Sequence, residues 1–246
     1  MSSKVTPHHR ARTVEGGATI ARPTGEGEPR PTLNRERVVR AAMDLADESG
    51  IDSVTMRELG RRLGVEAASL YNHVAGKDDL LSGMADLAAG EIELPSSDVD
   101  WKEAMRRRAV SARGVFLQHR WAAALMDSRE WSGPYSLIYA DRVLGALIQA
   151  GFSPVIASWA FIALDSYIYG FERQRSNFSQ PDDVDTIEVA QEVLADIPQG
   201  EYQSLAAVAM EYSEKPYDED GAFEYGLDLI LDSLERRLES DLPTQR

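Results

Sequence analysis

The sequence predicts an all-α protein, on three observations. Apolar residues recur with a helical period along most of the chain from Leu33 onward. No stretch sustains a period-two alternation, so no sheet is expected. Glycine or proline stands where one helical run after another has to stop. The expected architecture is an N-terminal three-helix helix-turn-helix domain followed by a larger helical domain.

Composition narrows the function classes. The chain has 246 residues, room for one or two domains. Hydrophobic residues make up 43% and charged residues 27%, which excludes a wholly disordered chain. The formal net charge of −15 argues against a non-specific polyanion binder. Without cysteine, disulfides, thiolate nucleophiles and cysteine-based zinc or iron–sulfur sites are excluded. The apolar run Val155–Leu164 is bounded by Pro154 and Asp165 and falls short of the ~18 residues of a membrane span. The N-terminus carries no apolar secretory segment, so a cytoplasmic chain without membrane contact is expected. Walker-type, His-Glu-x-x-His, Gly-x-Ser-x-Gly and dinucleotide-binding motifs are missing, so no enzyme, metal or cofactor is expected.

Charge divides the chain. Residues 1–32 carry five basic and three acidic side chains, residues 33–80 seven and nine, and the remainder 14 and 29. The acidic remainder repels nucleic acid and leaves the first third as the place for such a contact. Residues 1–32, rich in proline and glycine, read as an unstructured arm. The arm is either a plain disordered tail or a minor-groove contact using Arg10, Arg12, Arg22 or Arg30.

The first helix starts at an Asn34 cap, carries Val38, Ala41, Ala42, Leu45 and Ala46 on one face, and stops at Gly50. Thr55 and Glu58 form a capping box, with Glu58 reaching back to the cap, for a short helix that Gly64 ends after Leu63. A second short helix spans about Glu66 to His73, and Gly76 breaks it. A longer helix covers 77–93, closed by Pro95. Further helices are expected at 101–118, 120–127, 134–150, 154–176, about 185–196, about 201–213 and 220–239, with a loop at 177–184. The expected domains are therefore the arm 1–32, a helix-turn-helix domain 33–80 and a helical domain 81–246.

The stretch 55–74 is the most informative. Two short helices across a tight glycine turn have the shape of a helix-turn-helix. Gly60 is small where the helices must approach, and Leu59, Leu63, Val65, Leu70 and Val74 supply a shared core. Ala67, Ala68, Ser69, Tyr71 and Asn72 then fall on the outer face of the second helix. The two alanines allow close approach and can touch a thymine methyl, and Asn72 can read adenine bidentately. Ser69, Tyr71, His73 and Lys77 can bind phosphates or base edges, Thr55 can touch a phosphate, and Arg57 can reach a guanine. The same pattern also fits a generic three-helix core with an exposed Tyr-Asn-His.

Val54 to Gly60, Leu63-Gly64-Val65, Leu70-Tyr71-Asn72-His73-Val74 and Lys77 to Leu81 together resemble the DNA-binding domain of the tetracycline-repressor (TetR) family of bacterial regulators. Gln149 to Phe152 and Phe223 to Leu231 look like the ligand-binding domain of its tetracycline-repressor subgroup. The resemblance covers roughly 33–240 and implies double-stranded operator DNA as partner. Arg57 matches a base-reading arginine, Ala67, Ala68, Ser69, Tyr71, Asn72 and His73 match recognition-helix positions, and Lys77 matches a phosphate-binding lysine. Ala67, Ala68 and Asn72 differ from the tetracycline repressor, so its operator is not implied.

The last helix has one apolar stripe at Phe223, Leu227, Ile230, Leu231, Leu234 and Leu238 and a weaker one at Ala222, Gly226, Leu229 and Ser233. Helix 154–176 is apolar on two sides: Ile156, Trp159, Ala160, Ala163, Tyr167 and Gly170, and Val155, Ile162 and Tyr169. Helices apolar nearly all round are buried. Either a larger monomer core or a second subunit does this, and the resemblance implies a homodimer through 154–176 and 220–239. Four aromatic clusters are expected: Trp121; Trp131 with Tyr135 and Tyr139; Trp159 with Phe161; and Tyr167 with Phe171. Arg108 and Asp165 are the polar residues to watch, each among apolar neighbours. Asp165 is either a ligand contact or the partner of an arginine such as Arg142. Candidate effector contacts are Arg108, Met126, Trp131 and Tyr139, with Val143, Phe161 and Asp165. The subgroup's histidine and amide positions align with Glu93, Arg108 and Met126, which argues against a tetracycline–magnesium effector. The resulting expectation is a homodimeric repressor released from its operator by a small-molecule ligand. The alternatives are a ligand-independent regulator or activator whose C-terminal domain only dimerises, and a non-specific DNA-coating protein.

Overall fold

The computed structural model describes residues 32–128, 133–178, 186–198 and 200–241. The arm arginines Arg10, Arg12, Arg22 and Arg30, and the effector candidate Trp131, lie outside the described residues. Among those described, the chain forms eleven α-helices, a 3-10 turn and no strand. From Leu33 onward the described residues belong to one compact unit.

The helices begin and end where local chemistry dictates. Helix α1 (Arg35–Ser49) is capped by Asn34, whose side chain accepts from the Arg37 amide at 2.9 Å. Gly50 ends it, and a 3-10 turn (Ile51–Ser53) leads to α2 (Met56–Leu63). Thr55 caps α2 by accepting from the Glu58 amide at 3.2 Å. The return half of the capping box does not form: the Glu58 carboxylate takes the Arg61 guanidinium instead. A charge-assisted pair within the same helix is the stronger partner there.

Gly64 turns the chain at φ +68°, a left-handed conformation that a side chain would strain. The α-helical part of α3 covers only Ala67–Leu70. The expected helix to His73 continues as a tighter turn, with Asn72 N bonded to Ser69 O and His73 N to Leu70 O.

Helix α4 (Lys77–Glu91) follows, and the boundary expected at residue 80 falls inside it. Then come α5 (Trp101–Gln118), α6 (Ala122–Asp127), α7 (Pro134–Gln149), α8 (Pro154–Phe178), α9 (Thr186–Asp196), α10 (Gln203–Glu214) and α11 (Glu219–Asp241). Helix α8 runs on through Asn177 and Phe178, two residues expected in a loop.

One continuous apolar core joins α1–α8 and α11, from Val38 and Leu45 in α1 to Leu227 and Leu231 in α11, while α9 and α10 pack on each other outside it. Ionic ties run along it. Arg113 in α5 holds Glu172 in α8 at 3.1 Å and also Asp220 in α11.

Helix α8 buries Ala157, Ala160, Leu164 and Ile168 against this core. Its stripes differ from those read off the sequence. Ala160 and Tyr169 are buried, while Val155, Trp159, Ile162, Ala163 and Gly170 share an exposed face, with Trp159 62% exposed. Burial within the single chain is therefore one-sided. On α11 the strong stripe packs inward as expected, whereas Leu229 is 56% exposed.

By length and composition alone, Pro154–Arg175 is apolar enough to cross a membrane, contrary to the sequence reading. Asp165 and Glu172 within it are buried and paired to arginines of α5, which makes it a core helix of this fold.

Candidate functional site

The first candidate site is the α2–α3 corner. Gly60 lets the two helices meet: a Cβ there would lie 2.9 Å from the Val65 carbonyl oxygen and 3.1 Å from the Ala67 nitrogen. Leu59, Leu70 and Val74 are buried beneath the corner, and Leu63 and Val65 pack against them. That anchoring fixes which side chains face out. Thr55, Arg57, Ala68, Tyr71, Asn72 and Lys77 are exposed, Tyr71 to 55%, while Ala67, Ser69 and His73 are half-buried. Two bidentate ion pairs brace the corner. Arg62 holds Glu48 of α1 at 2.6 Å through each nitrogen, and Arg35 holds Asp79 of α4 at 2.7 Å through each. Hydrogen bonding from Arg35 keeps the Asp79 carboxyl below the usual carboxylate range, against the opposing effect of burial.

Helix α4 is tied to the body at two further points. Asp86, buried, accepts from the Ser136 amide at 2.8 Å and its hydroxyl at 2.9 Å. His119, just past the end of α5, places Nδ1 2.9 Å from the Asp47 carboxylate of α1 and Nε2 3.0 Å from Glu91 of α4. Trp121 adds a bond from Nε1 to Asp47 at 2.7 Å. One buried imidazole thus links three helices. Replacing His119 with alanine is expected to lower stability by about 1–3 kcal/mol, because the Asp47 and Glu91 carboxylates lose the imidazole that bridges them. Faster amide exchange in α1 and α4 than in α8, measured by mass spectrometry, checks this; uniform exchange refutes it.

The second candidate site lies between α5, α7 and α8. Arg108 is fully buried, and its Nη1 bonds both the Tyr139 hydroxyl and Asp165 Oδ1, the latter at 2.6 Å. Asp165 also accepts from the hydroxyls of Tyr139 and Tyr169, each at 3.3 Å. Burial works against the charge of Arg108, but Tyr139 and Asp165 outweigh it and raise its pKa. Burial pushes the Tyr139 and Tyr169 hydroxyls up, so both stay protonated donors. The faces of Tyr139 and Phe161 lie 5.5 and 5.9 Å from the guanidinium.

The structure thus brings together Arg108, Tyr139, Phe161 and Asp165. Val143 and Met126 are buried in the adjoining core. The partner of Asp165 is Arg108, not Arg142, which is exposed on α7. The aromatic clusters also differ. Tyr139 pairs with Phe161 and Tyr167 with Phe171 and Phe223, while Tyr135 and Trp159 are exposed. Tyr169 and the His119 link were missed. A tyrosine one helical turn from Asp165 was the available signal for the first; nothing local marked the second.

The family described as "Bacterial regulatory proteins, tetR family" matches residues 38–84, and "Tetracyclin repressor-like, C-terminal domain" matches residues 94–238. An HTH-type transcriptional regulator of Saccharopolyspora erythraea is 35% identical over 185 residues, covering 74% of this chain and 78% of that protein. The tetracycline repressor protein class A from transposon 1721, of Escherichia coli, is 31% identical over 213 residues, covering 83% of this chain and 92% of the relative. The Streptomyces coelicolor TetR family protein ActR, solved in complex with actinorhodin, matches with a TM-score of 0.72 at 26% identity, covering 83% of this chain and 96% of that one. With a helix-turn-helix corner on a helical body and both domain matches in place, the chain belongs to the TetR family of bacterial transcriptional regulators.

Proposed function

We propose that this protein is a homodimeric transcriptional repressor that leaves its operator when a small molecule binds its C-terminal domain. The observation that carries the DNA-reading half is the outer face of the α2–α3 corner. Leu70 and Val74 lock it from below, and small Ala68 beside Tyr71 and Asn72 faces out. Asn72 reads a base edge, Arg57 reaches a guanine, and Ala67 and Ala68 admit the groove. Thr55, Ser69, Tyr71, His73 and Lys77 take phosphates or neighbouring edges. In this reading 33–80 reads DNA and 81–246 binds ligand and dimerises, in the cytoplasm.

The exposed Val155, Trp159 and Ile162 of α8, with Tyr225 and Leu229 of α11, supply the apolar face for a second subunit. Two-fold symmetry then sets the reading heads ~34–36 Å apart. Helix α4 is the lever, tied to α1 by Asp79, to α7 by Asp86 and to the end of α5 by Glu91. A ligand that prefers the displaced position of α4 mis-spaces the heads; reversing a 99:1 population takes ~10⁴-fold preference.

Fluorescence anisotropy on DNA upstream of the protein's own gene, against scrambled DNA at two salt concentrations, tests the reading. Asn72→Ala is expected to cost ~1–3 kcal/mol on the native sequence and to relax base choice at one position. Lys77→Ala is expected to weaken all sequences alike and lower the salt slope by about one. Equal losses on native and scrambled DNA for Asn72→Ala would sink the assignment.

A further inference from the structure

Arg108 carries more hydrogen-bonding capacity than its neighbours use. Nη1 serves Tyr139 and Asp165, but Nε and Nη2 are buried with no hydrogen-bond partner. The guanidinium has five N–H donors in a rigid plane. Nε–H and one Nη2–H point the same way from one edge, so what is left unpaired is the side-on fork that matches two oxygens of one planar group. Leaving such buried donors unmade is costly, and polar groups of this kind need an explanation.

Asp165 does not need that edge. Tyr139 and Tyr169 donate to it as well as Arg108, so its charge is shared by three donors. The surroundings of the guanidinium are aromatic, with Tyr139 at 5.5 Å and Phe161 at 5.9 Å from it. Both rings stack over the guanidinium carbon, so the unpaired edge belongs to an aromatic cluster, which fits an aromatic molecule bearing an anionic two-oxygen group.

We infer that the effector is a planar aromatic acid whose carboxylate-type group seats bidentately on Nε and Nη2 of Arg108. This rests on the proposal that the C-terminal domain binds a small molecule, and it names the class of that molecule. Asp165 and Tyr139 are positioning residues that engage Nη1, with Tyr169 holding Asp165 in turn, and they leave Nε and Nη2 unpaired.

The test uses the full chain and two fluorescent probes, anthracene-9-carboxylate and the neutral anthracene-9-carboxamide, titrated at neutral pH without DNA. The carboxylate is expected to bind at least about tenfold more tightly, since a charge-assisted pair replaces a neutral contact. Arg108→Lys keeps the charge and loses the fork, and is expected to cut that preference to about threefold or less. Equal binding of the two probes by the wild-type protein overturns the inference, as does no binding of the carboxylate or an undiminished preference in Arg108→Lys. If the variant fails to fold, the wild-type comparison still decides. Because binding is read without DNA, the ligand class and operator recognition fail separately.

Discussion

Replacing Asp165 with leucine is expected to lower the unfolding free energy by about 3–5 kcal/mol, the usual cost of stranding one member of a buried ion pair. Asp165 is 5% exposed, and its loss leaves Arg108 a buried cation with no counter-charge at 2.6 Å. For a chain of this size that corresponds to a fall of roughly 6–20 °C in melting temperature. The double replacement Arg108→Met with Asp165→Leu is expected to recover most of the loss, because removing both charges leaves none to desolvate. Thermal denaturation of the three proteins measures this, and a double variant no more stable than the single one would refute it. The same cluster has a pH signature. Burial raises the Tyr139 and Tyr169 hydroxyls above their ordinary value of 10.0. A raised folded pKa stabilises fully below the unfolded value and less above it, so stability is expected to fall above about pH 10, where unfolded tyrosines ionise.

Gly60→Val is expected to weaken specific DNA binding at least about tenfold. Alanine at an ordinary helical glycine gains about 1 kcal/mol in propensity, so the sign here is set by packing. The first added carbon already meets Val65 O at 2.9 Å and Ala67 N at 3.1 Å, both backbone atoms of the turn. They cannot rotate aside as a side chain would. Valine adds two methyl groups to that conflict, and overpacking of this kind costs about 1–3 kcal/mol or more. The strain is local to the α2–α3 corner, so native upstream DNA should bind at least about tenfold more weakly, while the C-terminal helices keep their ellipticity. Gly60→Ala should show the same direction with a smaller loss. Unchanged affinity and melting in the valine variant would show that the helices have room to separate.

Much of the N-terminal domain was legible because its determinants are local. Asn34 and Thr55 cap helices through bonds to residues three positions on, and Gly64 sets its own backbone angle. The capping box failed on its second half because Arg61, one turn away, offered Glu58 a charged partner. Helix positions along 101–241 followed from periodicity to within about two residues at most ends. That α8 is apolar on more than one side was legible, but its stripes were drawn wrongly, with buried Ala160 grouped with exposed Trp159 and buried Tyr169 with exposed Val155 and Ile162. Ala160 and Trp159 are adjacent in sequence, and only packing against α5 and α11 decides that one is buried and the other exposed.

The helical class, the turn at Gly64 and most of the side chains on the outer face of the α2–α3 corner follow from the sequence. Each depends on interactions within a few residues, which spacing records directly. Tertiary structure alone decided that Arg108, 57 residues before Asp165, is its partner, that Tyr169 joins them, and that His119 ties α1 to α4. Such pairings depend on how helices cross. Any of several arginines satisfies the same carboxylate by charge, and only the packed core leaves one of them inside, with Nε and Nη2 unpaired.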